Sequence, residues 1–164
     1  MGKKNSKRKS EEGKAIVATN KKALKDFFIL DRYEAGIALK GSEVKSVREH
    51  RVNLKDSYAR IKNGEMFLYN VHISPYSKSR VEESNPTRVR KILMHKKEID
   101  RIAGKLADKS LTLVPLSMYF SGGWVKVELA LAKGKTKVDR RRDIQEREHK
   151  KEIEREVRRA FKKM

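Results

Sequence analysis

Apolar residues fall in short blocks whose period changes along the chain, and the changes mark the elements. Residues 1–14, MGKKNSKRKSEEGK, offer no large apolar side chain beyond the initial methionine. They cannot bury enough surface to offset ordering entropy, which predicts a disordered basic arm. Apolar residues begin at Ala15 to Val17, continue through Phe27, Phe28, Ile29 and Leu30, and return at Gly36, Ile37, Ala38 and Leu39. That reads as one long or bent strand. Gly41 and Ser42 then open a helix of about two turns, with Ser42 as cap and Val44, Val47 and Arg48 at helical spacing.

Between Asp56 and Ile73 the period drops to two. Tyr58 and Arg60 alternate with Ala59 and Ile61, and Phe67, Tyr69, Val71 and Ile73 alternate with Met66, Leu68, Asn70 and His72. Asn63-Gly64 between them predicts a tight hairpin, because both central residues must accept positive φ. Ser74 to Arg90, with two prolines and few apolar anchors, predicts a long mobile loop. His95 to Lys109 places Ile99, Ile102, Ala103 and Leu106 on one helical face. A second hairpin follows: Leu116, Met118 and Phe120, then Ser121-Gly122-Gly123, then Val125, Val127, Leu129 and Leu131. Pro115 has no amide proton and belongs at an edge or a bulge. The sum is a mainly β fold, a small closed antiparallel barrel with two or three flanking helices, spanning 15–132. From 133 to 164 the chain is almost wholly charged, and an isolated tail of this kind is expected to be frayed or disordered.

Charge sharpens this division. Net charge is +20, and it splits into +7 over residues 1–25, +6 over 26–132 and +7 over 133–164, so two ends flank a less charged middle. That distribution suits a polyanionic partner. No run approaches the roughly 20 apolar residues of a membrane span, and no apolar signal-peptide core follows the basic start. With no cysteine there is no disulfide framework, thiolate zinc site or cysteine nucleophile, which fits a cytoplasmic chain.

Catalytic chemistry is thinly supplied. His50, His72, His95 and His149 share no metal-ligand spacing, and no metal or cofactor is expected. Gly134-Lys135-Thr136 imitates the end of a phosphate loop, but the glycine required five positions earlier is Leu129 in a strand. Met1-Gly2-Lys3-Lys4-Asn5-Ser6 fits the N-myristoylation pattern, yet a lipid anchor leaves the second charged end unexplained. Nucleic acid accounts for more. Arg88, Arg90 and Lys91 precede the apolar helix, Lys45 and Arg48 share a helix face, and Lys133, Lys135 and Lys137 alternate. Each is either a phosphate contact or part of a generic solvated basic surface. Tyr33, Tyr76 and Trp124 either stack on bases or pack. Glu34, an acid in a basic neighbourhood, either accepts from a base or pairs with Arg32 or Lys40. His95 with Glu98 stands where an N-cap and its partner would stand.

Four segments in order, EAGIALKGSEVKSVR (34–48), GEMFLYNVHISPY (64–76), PTRVRKILMHKKEI (86–99) and LTLVPLSMYFSGGWVKVELALAKGKTKVDRRRDIQERE (111–148), resemble the small protein B, or SsrA-binding protein, family of bacterial trans-translation. The resemblance runs from about Val17 through the tail. It implies a barrel of the oligonucleotide-binding type that holds the tRNA-like domain of transfer-messenger RNA (tmRNA) and escorts it, as a monomer in the RNA complex, to ribosomes stalled on messages lacking a stop codon. It implies a non-enzymatic role, and a tail that is unstructured when free and helical in the small-subunit decoding centre and empty messenger channel. By the same resemblance, Glu34 matches the family's acidic RNA contact, Leu93 and His95 fall in its central RNA-binding segment, and Asn20 and Lys21 match an Asn-Lys pair before the first long strand. Lys133, Gly134, Lys135, Asp139, Arg140 and Arg141 match the entry to the tail, with Lys137, Ile144 and Arg147 further ribosome contacts. Val138 departs from the family, where many members carry a stacking histidine or tyrosine. A ribosomal or ribosome-assembly protein bound to ribosomal RNA is the alternative.

Overall fold

The computed structural model describes residues 13–78 and 85–162. The myristoylation pattern, most of the N-terminal arm and the middle of the 74–90 loop therefore lie outside the described residues. The chain divides into two units at Lys133/Gly134.

The first unit runs β1 (Ala15–Thr19), α1 (Lys21–Asp26), β2 (Phe27–Ile37), α2 (Gly41–Arg48), β3 (Val52–Asn53), β4 (Tyr58–Lys62), β5 (Glu65–Tyr69), β6 (His72–Ile73), β7 (Arg90–Leu93), α3 (Lys96–Lys105), β8 (Leu111–Ser121) and β9 (Trp124–Gly134), whose last residue opens the second unit. The strands pair in the order β1-β8-β4-β5-β7-β2-β9, and β9 pairs back onto β8, which closes the circuit into a barrel. The circuit runs from β8 through β4, β5, β7, β2 and β9, and β1 joins it along β8. Its interior holds Ile37, Met66, Leu68, Ile92, Leu113, Met118, Val127 and Leu129. Ile99 and Ile102 of α3 add to the same core. Among the described residues no helix is long and apolar enough to cross a membrane.

Both hairpins have the predicted turns. Asn63 and Gly64 take φ of 52° and 74°, and Gly122 and Gly123 take 58° and 79°. The primed-turn twist matches that of the flanking strands. Pro115 sits at a bulge, where the β8–β9 register shifts between Pro115 and Ser117. The bulge also changes which way the even-numbered side chains point. Val114 and Leu116 lie in a second apolar cluster with Ala23, Ala130 and Ala132, whereas Met118 lies in the barrel core. Leu116 therefore does not share a face with Met118 and Phe120, as simple alternation predicts. Three alanines in that cluster let α1 approach the sheet closely.

The continuous strand expected from Ala15 to Leu39 is broken by α1. Its cause is Asn20, 4% exposed, whose side chain accepts from the Ala23 amide at 3.0 Å and donates to the carbonyls of Leu54 and Pro115, each at 3.0 Å. The asparagine is both helix cap and a tie between the bulge and a distant loop. A second break occurs at Asn70, whose φ of 60° ends β5. The kink reverses parity, so that Met66 and Leu68 before it and Val71 and Ile73 after it all enter the core. β7 is a strand that begins where the sequence pattern predicts loop, because its inward residues are Ile92 and a buried arginine.

That arginine, Arg90, is 1% exposed and meets Glu43 of α2, 3% exposed. Its Nε donates to Glu43 Oε2 at 2.5 Å, Nη1 to the Val71 carbonyl at 2.7 Å and the Arg88 carbonyl at 3.1 Å, and Nη2 to the Pro86 carbonyl at 3.0 Å. Arg88 Nε donates to the other Glu43 oxygen at 2.7 Å. Glu43 also accepts from the Lys40 amide at 3.3 Å, so α2 starts ahead of the Ser42 cap expected from sequence. Burial pushes the Glu43 carboxyl up, but hydrogen bonds from Arg90 and Arg88 outweigh it and hold the group below the usual carboxylate range.

The second unit is α4 (Lys137–Lys162), with no buried residue. The structure describes a helix where the sequence pattern predicts disorder in the free state. Thr136 and Asp139 supply a reason: the Thr136 amide and hydroxyl donate to Asp139 Oδ2 at 3.0 and 2.7 Å, and the Asp139 amide donates to Thr136 Oγ1 at 3.2 Å. This is a reciprocal capping box.

Removing one partner of a buried pair leaves an uncompensated charge. Glu43→Gln or Arg90→Met is expected to lower unfolding free energy by about 3–5 kcal/mol, with the double variant losing less than the sum, by urea titration. Because the folded Glu43 pKa lies below its unfolded value, its contribution is complete above the unfolded pKa and is lost as pH falls through the folded one. Stability of Glu43→Gln should therefore fall less between about pH 5 and 3 than that of the unaltered chain. Thr136→Ala should fray the first turn of α4, seen as faster amide exchange at 137–140 with the barrel unaffected.

Candidate nucleic-acid interface

Neighbouring strands put one row of polar side chains across the outer face of the barrel. Glu34 stands on β2, Lys126 on the adjacent β9, Tyr119 opposite Lys126 on β8, and Lys14 at the start of β1, which pairs with β8. The row is joined by direct contacts. Lys126 Nζ donates to Glu34 Oε1 at 2.9 Å, Lys14 Nζ lies 3.1 Å from Oε2, and the Tyr119 hydroxyl donates to Oε2. Lys14 also lies over the Tyr119 ring at 4.6 Å. The hydrogen bonds from Tyr119, then Lys126, hold the Glu34 carboxyl down at about 2, against a smaller upward push from burial. Tyr119 is pushed up, by burial first and by Glu34 second. Glu34 is therefore ionised at neutral pH, 41% exposed, and pinned with acceptor capacity left over.

Neither ion-pair partner expected from sequence is the one used. Arg32 pairs with Glu128 at 3.3 Å, and the ion pairs of Glu34 are with Lys14 and Lys126. The actual partners, Lys14, Tyr119 and Lys126, come from strands far away in sequence, and for that reason the sequence pattern does not single them out. The register Tyr119↔Lys126 is in principle readable from the Gly122-Gly123 hairpin, but the β2–β9 pairing that brings Glu34 alongside is not local.

Glu34, Ala35, Gly36, Leu93, Met94, His95, Glu98 and Lys126 line an open pocket of about 290 Å³. It brings together three residues that the sequence singles out separately: Glu34, Leu93 and His95. Gly36 makes this possible. It pairs with Leu93, and a Cβ at Gly36 would stand 3.3 Å from the Leu93 Cβ. The missing side chain lets β7 lie close while Leu93 stays 52% exposed. His95 occupies the N-cap position of α3, exposed and without a side-chain cap bond. An adjoining groove of about 480 Å³ is mainly apolar, lined by Leu39, Val44, Leu93 and Trp124 among others. Trp124 is 75% exposed.

The remaining sequence candidates separate into two groups. Arg90 is buried, with its donors spent on Glu43 and backbone carbonyls inside the fold. Asn20 is likewise buried, with its amide nitrogen donating to the Leu54 and Pro115 carbonyls. Arg88 serves Glu43 in part, and Lys91 pairs with Glu65 at 2.5 Å. Tyr33 is half-buried, packed on the core with its hydroxyl near Asp31 and Lys105. Exposed cations include Lys21 at the start of α1, Lys45 with its amine 5.3 Å from the Tyr76 ring, Arg48 over Phe120 at 5.9 Å, and Lys133 at the end of β9. Lys137, Arg140, Arg141, Ile144 and Arg147 lie on α4, where Asp139 is the capping residue already described and Lys135 pairs with Asp143 just before it. Among the described residues, no group of three or more His, Asp or Glu side chains is placed to hold a metal ion.

The sequence matches the family described as SmpB protein over residues 17–159. An SsrA-binding protein of Carboxydothermus hydrogenoformans is 55% identical over 146 residues, covering 89% of this chain and 98% of the relative. One from Sulfurihydrogenibium sp. is 55% identical over 139 residues, covering 85% and 91%. A solved chain, described under the words "tmRNA-SmpB: a journey to the center of the bacterial ribosome", superposes with a TM-score of 0.64 at 45% identity, covering 77% of this chain and 93% of that one. The match runs from within β1 to the last turns of α4, and the chain belongs to the SmpB protein family.

Proposed function

We propose that the chain binds tmRNA and delivers it to stalled ribosomes in trans-translation, acting in the cytoplasm by binding rather than catalysis. The observation that carries this is the ionised, pinned Glu34 beside Leu93 and His95 in one open pocket, in a chain whose relatives are SsrA-binding proteins. A carboxylate repels phosphate and accepts from a base N–H, so it favours an unstacked nucleotide presented by a folded RNA over backbone alone. Leu93 supplies an apolar surface for that base, and His95 a donor or acceptor at the pocket rim. Exposed cations such as Lys21, Lys45, Arg48 and Lys133 then position the RNA by its phosphates. This is the recognition chemistry of a tRNA-like loop region. α4, charged on every side and with no buried residue, suits an RNA-walled channel, which supports its placement in the messenger path of the ribosome.

Glu34→Ala is expected to weaken binding to a transcript of the tRNA-like domain by about tenfold or more, on the scale of 1–3 kcal/mol for a base contact, despite making the protein more positive. Filter binding or calorimetry reads this, and tighter binding would point to generic electrostatics instead. Because Glu34 titrates near 2, the affinity should not change through its protonation between pH 7 and 5. Truncation after Val138 should leave RNA binding nearly intact and abolish peptide tagging in a reconstituted translation assay. Loss of both activities would place the tail within the RNA site.

A further inference from the structure

The tip of the β8–β9 hairpin holds an indole out from the barrel. Gly122 and Gly123 make the turn with φ of 58° and 79°, Trp124 follows opposite Ser121, and its side chain is 75% exposed. The next residue, Val125, enters the barrel core, so alternation along β9 sends the indole to the other face. A lone exposed apolar residue is ordinary, but Trp124 has company. Leu93 of β7, 52% exposed, and the half-buried Leu39 and Val44 line the same groove of about 480 Å³. That groove shares Gly36, Leu93 and Lys126 with the pocket around Glu34, so the two form one continuous surface. Their chemistry differs. The pocket is lined by two carboxylates, Glu34 and Glu98, whereas Lys126 is the one charged residue lining the groove. Apart from that amine and the indole N–H, no side chain lining the groove can hydrogen-bond. Such a surface can hold the flat face of a base and has little with which to read its edge.

We propose that the groove is a second nucleotide subsite, in which an unstacked base of the same RNA lies against the Trp124 indole beside the nucleotide held at Glu34. The inference rests on the RNA-binding reading of the Glu34 pocket, and the continuity of pocket and groove is what selects RNA as the occupant. The two subsites divide the work. Glu34 reads the edge of one base by accepting from it, and Trp124 supplies stacking that any base can use. Leu93, on the boundary, is a wall of both. A folded RNA that presents two unstacked bases side by side is then held more tightly than one that presents a single base.

Trp124 is the chain's single tryptophan, so intrinsic fluorescence reports this groove alone. Titrating the full-length protein with a transcript of the tRNA-like domain should quench the emission along the same curve that filter binding gives. Trp124→Leu keeps an apolar side chain without a π face and should bind this RNA about five- to a hundredfold more weakly, while Trp124→Phe recovers most of the loss. Because the side chain is exposed, both variants should keep the urea midpoint of the unaltered chain. Emission that stays unchanged at saturating RNA, or Trp124→Leu binding as tightly as the unaltered chain, overturns the inference. Either result leaves the Glu34 site standing, since the effect of Glu34→Ala is read separately. Emission that shifts with protein concentration in the absence of RNA would assign the groove to a second copy of the chain and overturn it as well. If the unaltered chain binds this RNA no better than random RNA, the RNA-binding reading fails and the inference falls with it. Position is tested by ultraviolet cross-linking. Trp124 should join to the same loop region whose protection disappears in Glu34→Ala, and a cross-link in another part of the RNA would overturn the placement.

Discussion

The pocket around Glu34 is positioned by one buried ion pair, Glu43 with Arg90. Taking both charges out of water is costly, and the cost is met because the arginine donates to Glu43 and three backbone carbonyls and the carboxylate also accepts from Arg88 and the Lys40 amide. An apolar pair of similar volume could fill the space, but it would not fix register. Sliding β7 by one residue would bury Lys91 without a partner and expose Arg90, so the pair admits a single alignment of β7 against β2 and β5. That alignment sets Leu93 against Gly36 and places His95 at the start of α3. The pocket around Glu34 is thus built from the far end of a strand whose near end is locked inside the protein.

A second constraint works along β8 and β9. The bulge at Pro115 turns β8 so that one strand serves two apolar clusters, and Asn20 ties the resulting carbonyls to the start of α1. With α1 covering the alanine end of β8 and β9, the other end of their outer face is left to the row of Glu34, Lys126 and Tyr119. The same two strands therefore carry apolar packing at one end and, through Lys126 and Tyr119, the hydrogen bonds to Glu34 at the other.

These dependencies explain what can be read from sequence. Hairpins at Asn63-Gly64 and Gly122-Gly123, the proline bulge and the apolar face of α3 are legible because each is specified within a few residues. α1 is not, since a six-residue helix with only Ala23 buried leaves almost no periodic signal, and its cap is braced by carbonyls 34 and 95 residues away. β7 escapes because an inward arginine counts as a polar, outward position in any alternation rule. At the site, Glu34, Leu93 and His95 come from the family resemblance, and the burial of Arg90 and Asn20 cannot be seen from residue type. Lys14, Tyr119 and Lys126 need the cross-strand register that only the closed barrel supplies.

The same contacts refine the meaning of the net charge. Several barrel lysines are already matched: Lys91 with Glu65, Lys105 with Asp31, and Lys126 with Glu34. Exposed pairs of this kind contribute little stability, but they remove local charge from competition for phosphate. The barrel's modest excess of +6 over residues 26–132 is accordingly spread over a surface where acid and base are interleaved, whereas the segments on either side each carry +7 with fewer acids for every base. A polyanion approaching this molecule meets its strongest attraction at the ends and its most directional contacts in the middle. Long-range charge then favours encounter with a polyanion, whereas the Glu34 carboxylate repels phosphate at the pocket itself.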